Sequence, residues 1–130
     1  MPHDICEFFE AYCAAFNRLD GEAVARLYHV PSGIASERGY THLSCFELIR
    51  DNMIALCQLY RDNGYQSARF EPIAHILQGR SHAVVDLLWT IERTNDRESW
   101  RFHTGYNLRR SDEGWRVLLC TAYEEKRLNA

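Results

Sequence analysis

Tyr12, Tyr106, Glu37 and His42 are the side chains whose types suit hydrogen-bond or proton-transfer chemistry on a small molecule. Tyr12 lies on an apolar stripe, where a hydroxyl either meets a carbonyl or water or donates to a bound ligand. Tyr106 has the same two readings. His42 precedes a helix, and a histidine there is either an exposed loop residue or an acid–base group. Glu37 stands in the same balance. Asp86 interrupts the run Ala83-Val84-Val85-Asp86-Leu87-Leu88-Trp89. Alternation places it opposite Val85, Leu87 and Trp89, on an outer sheet face, which favours an interface ion pair or an exposed charge over catalysis. His75, His82 and His103 are read onto the same outer side. No H-x-x-x-H spacing supports a metal there, so no metal ligand is expected. The five cysteines are odd in number and form no C-x-x-C. They read as small buried hydrophobes in a reducing cytoplasm.

The elements that must position these groups follow from periodicity. Ile5, Phe8, Phe9, Tyr12, Phe16 and Leu19 make one stripe of a helix from Asp4 to Leu19. Asp20 caps a short helix from Glu22 to His29, which Pro31 ends. Extended pieces follow at Gly33–Ser36 and Tyr40–Leu43. Ser44 with Glu47 forms a capping-box pattern for a third helix, with Gly64 as its stop. Beyond Gly64 the period changes from 3.6 to 2. Ala68–Gln78, Ser81–Arg93, Ser99–Arg110 and Trp115–Glu124 read as strands joined by short turns, hence antiparallel hairpins. Helices gathered first and a meander after define an α+β domain over residues 1–130.

Alternation also assigns faces. Val85, Leu87, Trp89 and Ile91 share one face, as do Trp100, Phe102, Thr104, Tyr106 and Leu108. Trp115, Val117, Leu119, Thr121 and Tyr123 share one face of the last strand. These large apolar sets are expected inward, giving an aromatic-lined pocket with Trp89, Phe102, Thr104, Leu119, Thr121 and Tyr123 as ligand-binding residues. The opposite face carries Val84, Leu88, Leu118 and Ala122 among polar neighbours, which suggests a homodimer through the outer sheet.

The segment Phe8-Phe9-Glu10-Ala11-Tyr12-Cys13-Ala14-Ala15-Phe16-Asn17-Arg18-Leu19-Asp20 resembles the opening helix of the nuclear transport factor 2-like superfamily. The likeness continues through the order of later elements to Gly114-Trp115-Arg116-Val117, and covers nearly the whole chain. It implies a cystatin-like cone, with three N-terminal helices packed on a curved, mainly antiparallel sheet. The fold hosts isomerases, dehydratases, cyclases and non-enzymatic binding proteins, so it does not fix an activity. Against the ketosteroid isomerase-like and SnoaL-like members, Tyr12 falls on the helix tyrosine. Tyr106 falls near the aspartate that helps hold an enolate oxygen. The general-base position falls near Ser36 or Glu37, and no aspartate stands there, so the isomerase activity does not carry over.

Composition narrows the remaining classes. The net charge is -3 and no run of Lys or Arg exceeds two residues, so no nucleic-acid partner is expected. No apolar run approaches the roughly 18 residues of a membrane helix. The opening MPHDICEFFE lacks a basic secretory n-region, so a cytoplasmic protein is expected. Two functions remain. One is a cofactor-independent isomerase, cyclase or dehydratase acting by proton transfer on a small apolar molecule. The other is a non-catalytic ligand-binding or dimerising accessory protein.

Overall fold

The computed structural model describes residues 1–123. Helix α1 spans His3–Asn17 and α2 spans Gly21–Ala25; strand β1 covers Tyr28–Ser36 and β2 covers Gly39–Leu43. Helix α3 runs over Phe46–Asp62, followed by β3 (Tyr65–Gln78), β4 (His82–Arg93), β5 (Trp100–Ser111) and β6 (Gly114–Tyr123). The strands form one curved sheet in the order β2-β1-β6-β5-β4-β3. Every pairing is antiparallel except β1 with β6. The α+β, cystatin-like architecture expected from the sequence is therefore present.

The stripe of α1 buries Ile5, Phe8, Phe9, Tyr12 and Phe16. Phe9 meets Tyr106 of β5 at 4.8 Å between ring centroids and Phe70 of β3 at 6.2 Å, so α1 lies on the inner face of the late strands. Asp4 ties its first turn to the sheet: its carboxylate accepts from Trp115 Nε1 at 2.9 Å and Arg110 Nη1 at 3.1 Å. Helix α2 packs so closely on α3 that a Cβ at Gly21 would stand 2.7 Å from the Ile54 backbone.

Three local expectations fail, each for a physical reason. The second helix stops at Ala25, not His29. The Leu27 carbonyl accepts from Val117 N at 3.0 Å and Tyr28 pairs with Val117, so strand β6 captures Tyr28 and the residues after it, where Tyr and Val suit a strand. Pro31 therefore sits inside β1. It falls where the β1–β6 register shifts between Tyr28 and Gly33, and an irregular stretch of ladder tolerates a missing N–H. At α3 the N-cap is Cys45, with no side-chain cap, and the expected box from Ser44 is not formed.

The third failure decides the site. Asn107 pairs with Leu119 and Leu108 with Val117, so Leu118 is an extra residue in a β-bulge. Alternation reverses there. Trp115 and Val117 point into the core, but beyond the bulge Cys120 lies opposite Tyr106 and Ala122 opposite Thr104. Cys120 and Ala122 thus take the inner face, while Leu119, Thr121 and Tyr123 take the outer one. The outer apolar set is corrected with it: Val84 and Leu88 remain, Leu119 joins, Ala122 leaves, and Leu118 occupies the bulge.

Candidate functional site

Between α3, the inner sheet face and the end of β1 lies a cavity of about 610 Å3. That is within the range of small-molecule sites. Helix α3 contributes Asn52, Met53, Leu56, Leu59 and Tyr60; the sheet contributes Trp89, Ile91, Trp100, Phe102 and Thr104; Ile34, Ser36 and Arg38 come from β1 and the turn after it. The lining is aromatic because most inward positions of β4 and β5 carry a large ring or aliphatic group, with Thr104 as a polar exception.

At the inner end five elements bring polar groups together, three of them hydroxyls. Trp89 Nε1 on β4 donates to Tyr106 Oη on β5 at 2.9 Å. Tyr12 Oη on α1 and Tyr28 Oη on β1 are 2.8 Å apart. The Tyr12 and Tyr106 rings meet edge to face at 5.6 Å, and their hydroxyls interact. The Cys120 thiol on β6 interacts with the Tyr28 hydroxyl. All five residues line the cavity. The tyrosines are almost fully enclosed, at 2–4 % exposure. Burial first, and then the neighbouring acidic groups, push all three phenols well above the ordinary tyrosine range. They are neutral at physiological pH and serve as hydrogen-bonding groups, not as bases.

Tyr12, Tyr106, Trp89, Phe102 and Thr104 are thus brought to one cavity, as their stripes predict. Glu37 and His42 are not. Glu37 is exposed in the turn between β1 and β2, and His42 is exposed on β2, where Nδ1 lies 3.1 Å from Tyr40 Oη. Neither lines the cavity. Leu119, Thr121 and Tyr123 are excluded by the bulge. Tyr123 instead donates to Asp86 Oδ2 on the outer face and stacks on His103 at 5.2 Å. Asp86 itself is where alternation puts it. His75 is not: it pairs with Val85, on the inner side.

Sequence reasoning missed Tyr28, Arg38 and Cys120. Tyr28 was hidden by its assignment to a helix, and Cys120 by the bulge. Arg38 stands beside Glu37 in the turn, and no sequence signal favours one neighbour over the other. Among the described residues no group of three or more His, Cys, Asp or Glu is placed to hold a metal ion. No described helix is long and apolar enough to cross a membrane.

Solved structures share this fold. The chain resembles an NTF2-like protein of unknown function from Shewanella oneidensis, with a TM-score of 0.76 and 15% identity over 93% of this chain and 97% of that one. An NTF2-like protein with a cystatin-like fold from Novosphingobium aromaticivorans gives 0.75 and 15%, over 92% and 79%. A ketosteroid isomerase-like protein from Erwinia carotovora atroseptica gives 0.69 and 18%, over 92% of each chain. At these identities the likeness establishes the fold alone. No curated protein matches the sequence. The model of one family, the NTF2-like proteins designated DUF6841, matches residues 3–125, and the chain belongs to that family.

Proposed function

We propose that this NTF2-like protein binds a small, largely apolar organic molecule in the aromatic cavity and holds one of its oxygens at the tyrosine end. The observation that carries this reading is a cavity walled by rings, with three neutral tyrosines at its inner end and no carboxylate or imidazole among its described lining residues. Proton transfer at carbon needs a base within about 3 Å of the reacting atom, directly or through one water. Glu37 and His42 stand outside the lining, so binding is favoured over an isomerase, cyclase or dehydratase activity.

The hydrogen-bond order refines which tyrosine meets the ligand. An indole N–H only donates. Trp89 therefore makes Tyr106 an acceptor and leaves its O–H to donate to Tyr12. Tyr12 then donates to Tyr28, and the Tyr28 O–H is left facing a thiol, a weak acceptor. In this order Tyr12 and Tyr106 do not converge on one ligand oxygen. They hold Tyr28, whose hydroxyl moves from sulfur to a better acceptor when a ligand carbonyl or hydroxyl arrives.

The test is a thermal-shift screen of steroids, polyketides and aromatic acids, followed by titration of the best binder. Tyr28→Phe is expected to weaken it about tenfold, the scale of one buried hydrogen bond. Tyr12→Phe breaks the order upstream and is expected to weaken it less. A screen without binders, or a Tyr28→Phe protein that is folded and binds as wild type does, would overturn the proposal.

A further inference from the structure

Accepting the cavity as a binding site, we infer that its ligand is an anion: an apolar body with a carboxylate held at the rim by Arg38. Arg38 is the one charged residue among the described residues that line the cavity. It lies in the turn between β1 and β2, and Ser36 Oγ accepts from its backbone N at 3.2 Å, which fixes the turn from which the side chain leaves. Its guanidinium makes no ion pair with a carboxylate of the described residues. Other arginines near the sheet are engaged in this way: Arg69 with Glu92 at 2.7 Å and Arg110 with Asp4 at 3.1 Å. Arg38 is thus a cation in a cavity lining whose described residues supply no counter-charge.

The remaining lining agrees in chemistry. Ser36 and Asn52 add half-buried neutral polar groups to the lining, and its buried walls include Ile91 and Phe102, so polarity falls from the exposed Arg38 to the enclosed residues. Such a gradient suits a molecule with one charged end and an apolar remainder. A planar guanidinium matches a carboxylate through two parallel N–H donors, which an ammonium cannot reproduce. The neutral tyrosines at the opposite end offer no second charge, so a monoacid fits better than a diacid. A cationic ligand meets Arg38 and no compensating anion along the described lining.

The experiment uses matched pairs on the full chain at pH 7.5: benzoate, cinnamate, 2-naphthoate and biphenyl-4-carboxylate, each against its primary amide, by calorimetric titration. Acid and amide have nearly the same shape and differ in charge. The expected result is that the best-bound acid exceeds its amide by about tenfold. In Arg38→Gln the preference should fall to within about twofold, and in Arg38→Lys it should be kept in part. Because Arg38 is exposed in a turn, the melting temperatures of these variants should match wild type. Amides that bind as tightly as acids, or an acid preference unchanged in Arg38→Gln, overturn the anionic ligand and leave the cavity reading intact. If no acid and no amide binds, the inference falls. The cavity reading then rests on the neutral members of the wider screen, so the two failures are told apart.

Discussion

The two faces of the late strands carry opposite chemistry within a few ångströms of each other. On the inner face Trp89, Tyr106 and Cys120 join Tyr12 and Tyr28 in a neutral hydrogen-bonded set. On the outer face Asp86, His103 and Tyr123 form a set that contains a carboxylate and an imidazole. Tyr123 donates to one oxygen of Asp86, while Asp86 Oδ1 is enclosed with no hydrogen-bond partner among the described residues. A carboxylate and an imidazole are what proton-transfer chemistry requires, and here the sheet turns both away from the cavity. Strand parity sorts the side chains of β4 and β5 between the two faces, and in β6 one extra residue decides which side chains join the cavity.

The strongest way to break the contrast is to shorten β6 past the bulge. Deleting Leu118 alone leaves the faces as they are, because Leu119 then follows Val117 and still meets Asn107. Deleting Leu118 and Leu119 together places Cys120 opposite Asn107 and turns Thr121 and Tyr123 into the core, because the side-chain period of a strand is 2. The outcome expected for the double deletion is a loss of more than about 3 kcal/mol, the scale of the large destabilising effects, read from the urea midpoint, with a clearly smaller loss for the single deletion. A single deletion as costly as the double one, or a double deletion with wild-type stability, would mean that the bulge is not what sets the faces.

The alkaline limb sharpens the inner side of the comparison. Tyr12, Tyr28 and Tyr106 have folded pKa values raised above the ordinary value of 10.0. The sign follows from proton counts. Above pH 10 the unfolded chain releases these protons while the folded chain keeps them, so stability falls as pH rises. It is fully present below pH 10 and decreases by about 1.4 kcal/mol per pH unit for each phenol, or about 4 for the three together. Phenolate absorbance at 295 nm should therefore show these three ionising together with unfolding, and the midpoint should move to lower pH in urea. A Tyr12→Phe/Tyr28→Phe/Tyr106→Phe variant that loses stability as steeply above pH 10 would assign the effect elsewhere.

How far the sequence carries depends on whether local pattern or partner strands decide an element. Helix α1 and strands β4 and β5 were legible because their periods are strong and their neighbours agree. Tyr12, Trp89, Phe102, Thr104 and Tyr106 came with them to the correct face. Tyr28 is not legible, since its apolar spacing continues that of the short helix, and what places it in a strand is a parallel pairing with β6 from nearly ninety residues further along the chain. Leu119, Thr121 and Tyr123 failed for a different reason. The run Val117-Leu118-Leu119-Cys120 is apolar on both parities, so nothing in it marks where the alternation breaks. Glu37 and His42 were chosen for their chemistry, and turn geometry offers the cavity Arg38 instead.

Tyr123 gives the smallest expected effect and the most direct check on face assignment. In an unbulged strand it would line the cavity, and Tyr123→Phe would change ligand affinity by about the same factor as Tyr28→Phe. In the observed register its hydroxyl reaches Asp86 on the outer face. Removing it takes the donor from a half-buried carboxylate whose other oxygen already lacks a partner among the described residues. The cost is expected to be about 1–2 kcal/mol of stability, the scale of a buried acceptor left without its donor. Asp86→Asn in the Tyr123→Phe background should recover part of that loss, since a neutral amide is less costly to leave underpaired than a charge. Affinity for any ligand of the cavity should stay within about twofold of wild type, because no atom of the inner wall has changed. Unaltered stability together with weakened binding would put Tyr123 back on the inner face, and the bulge in β6 with it would have to be abandoned.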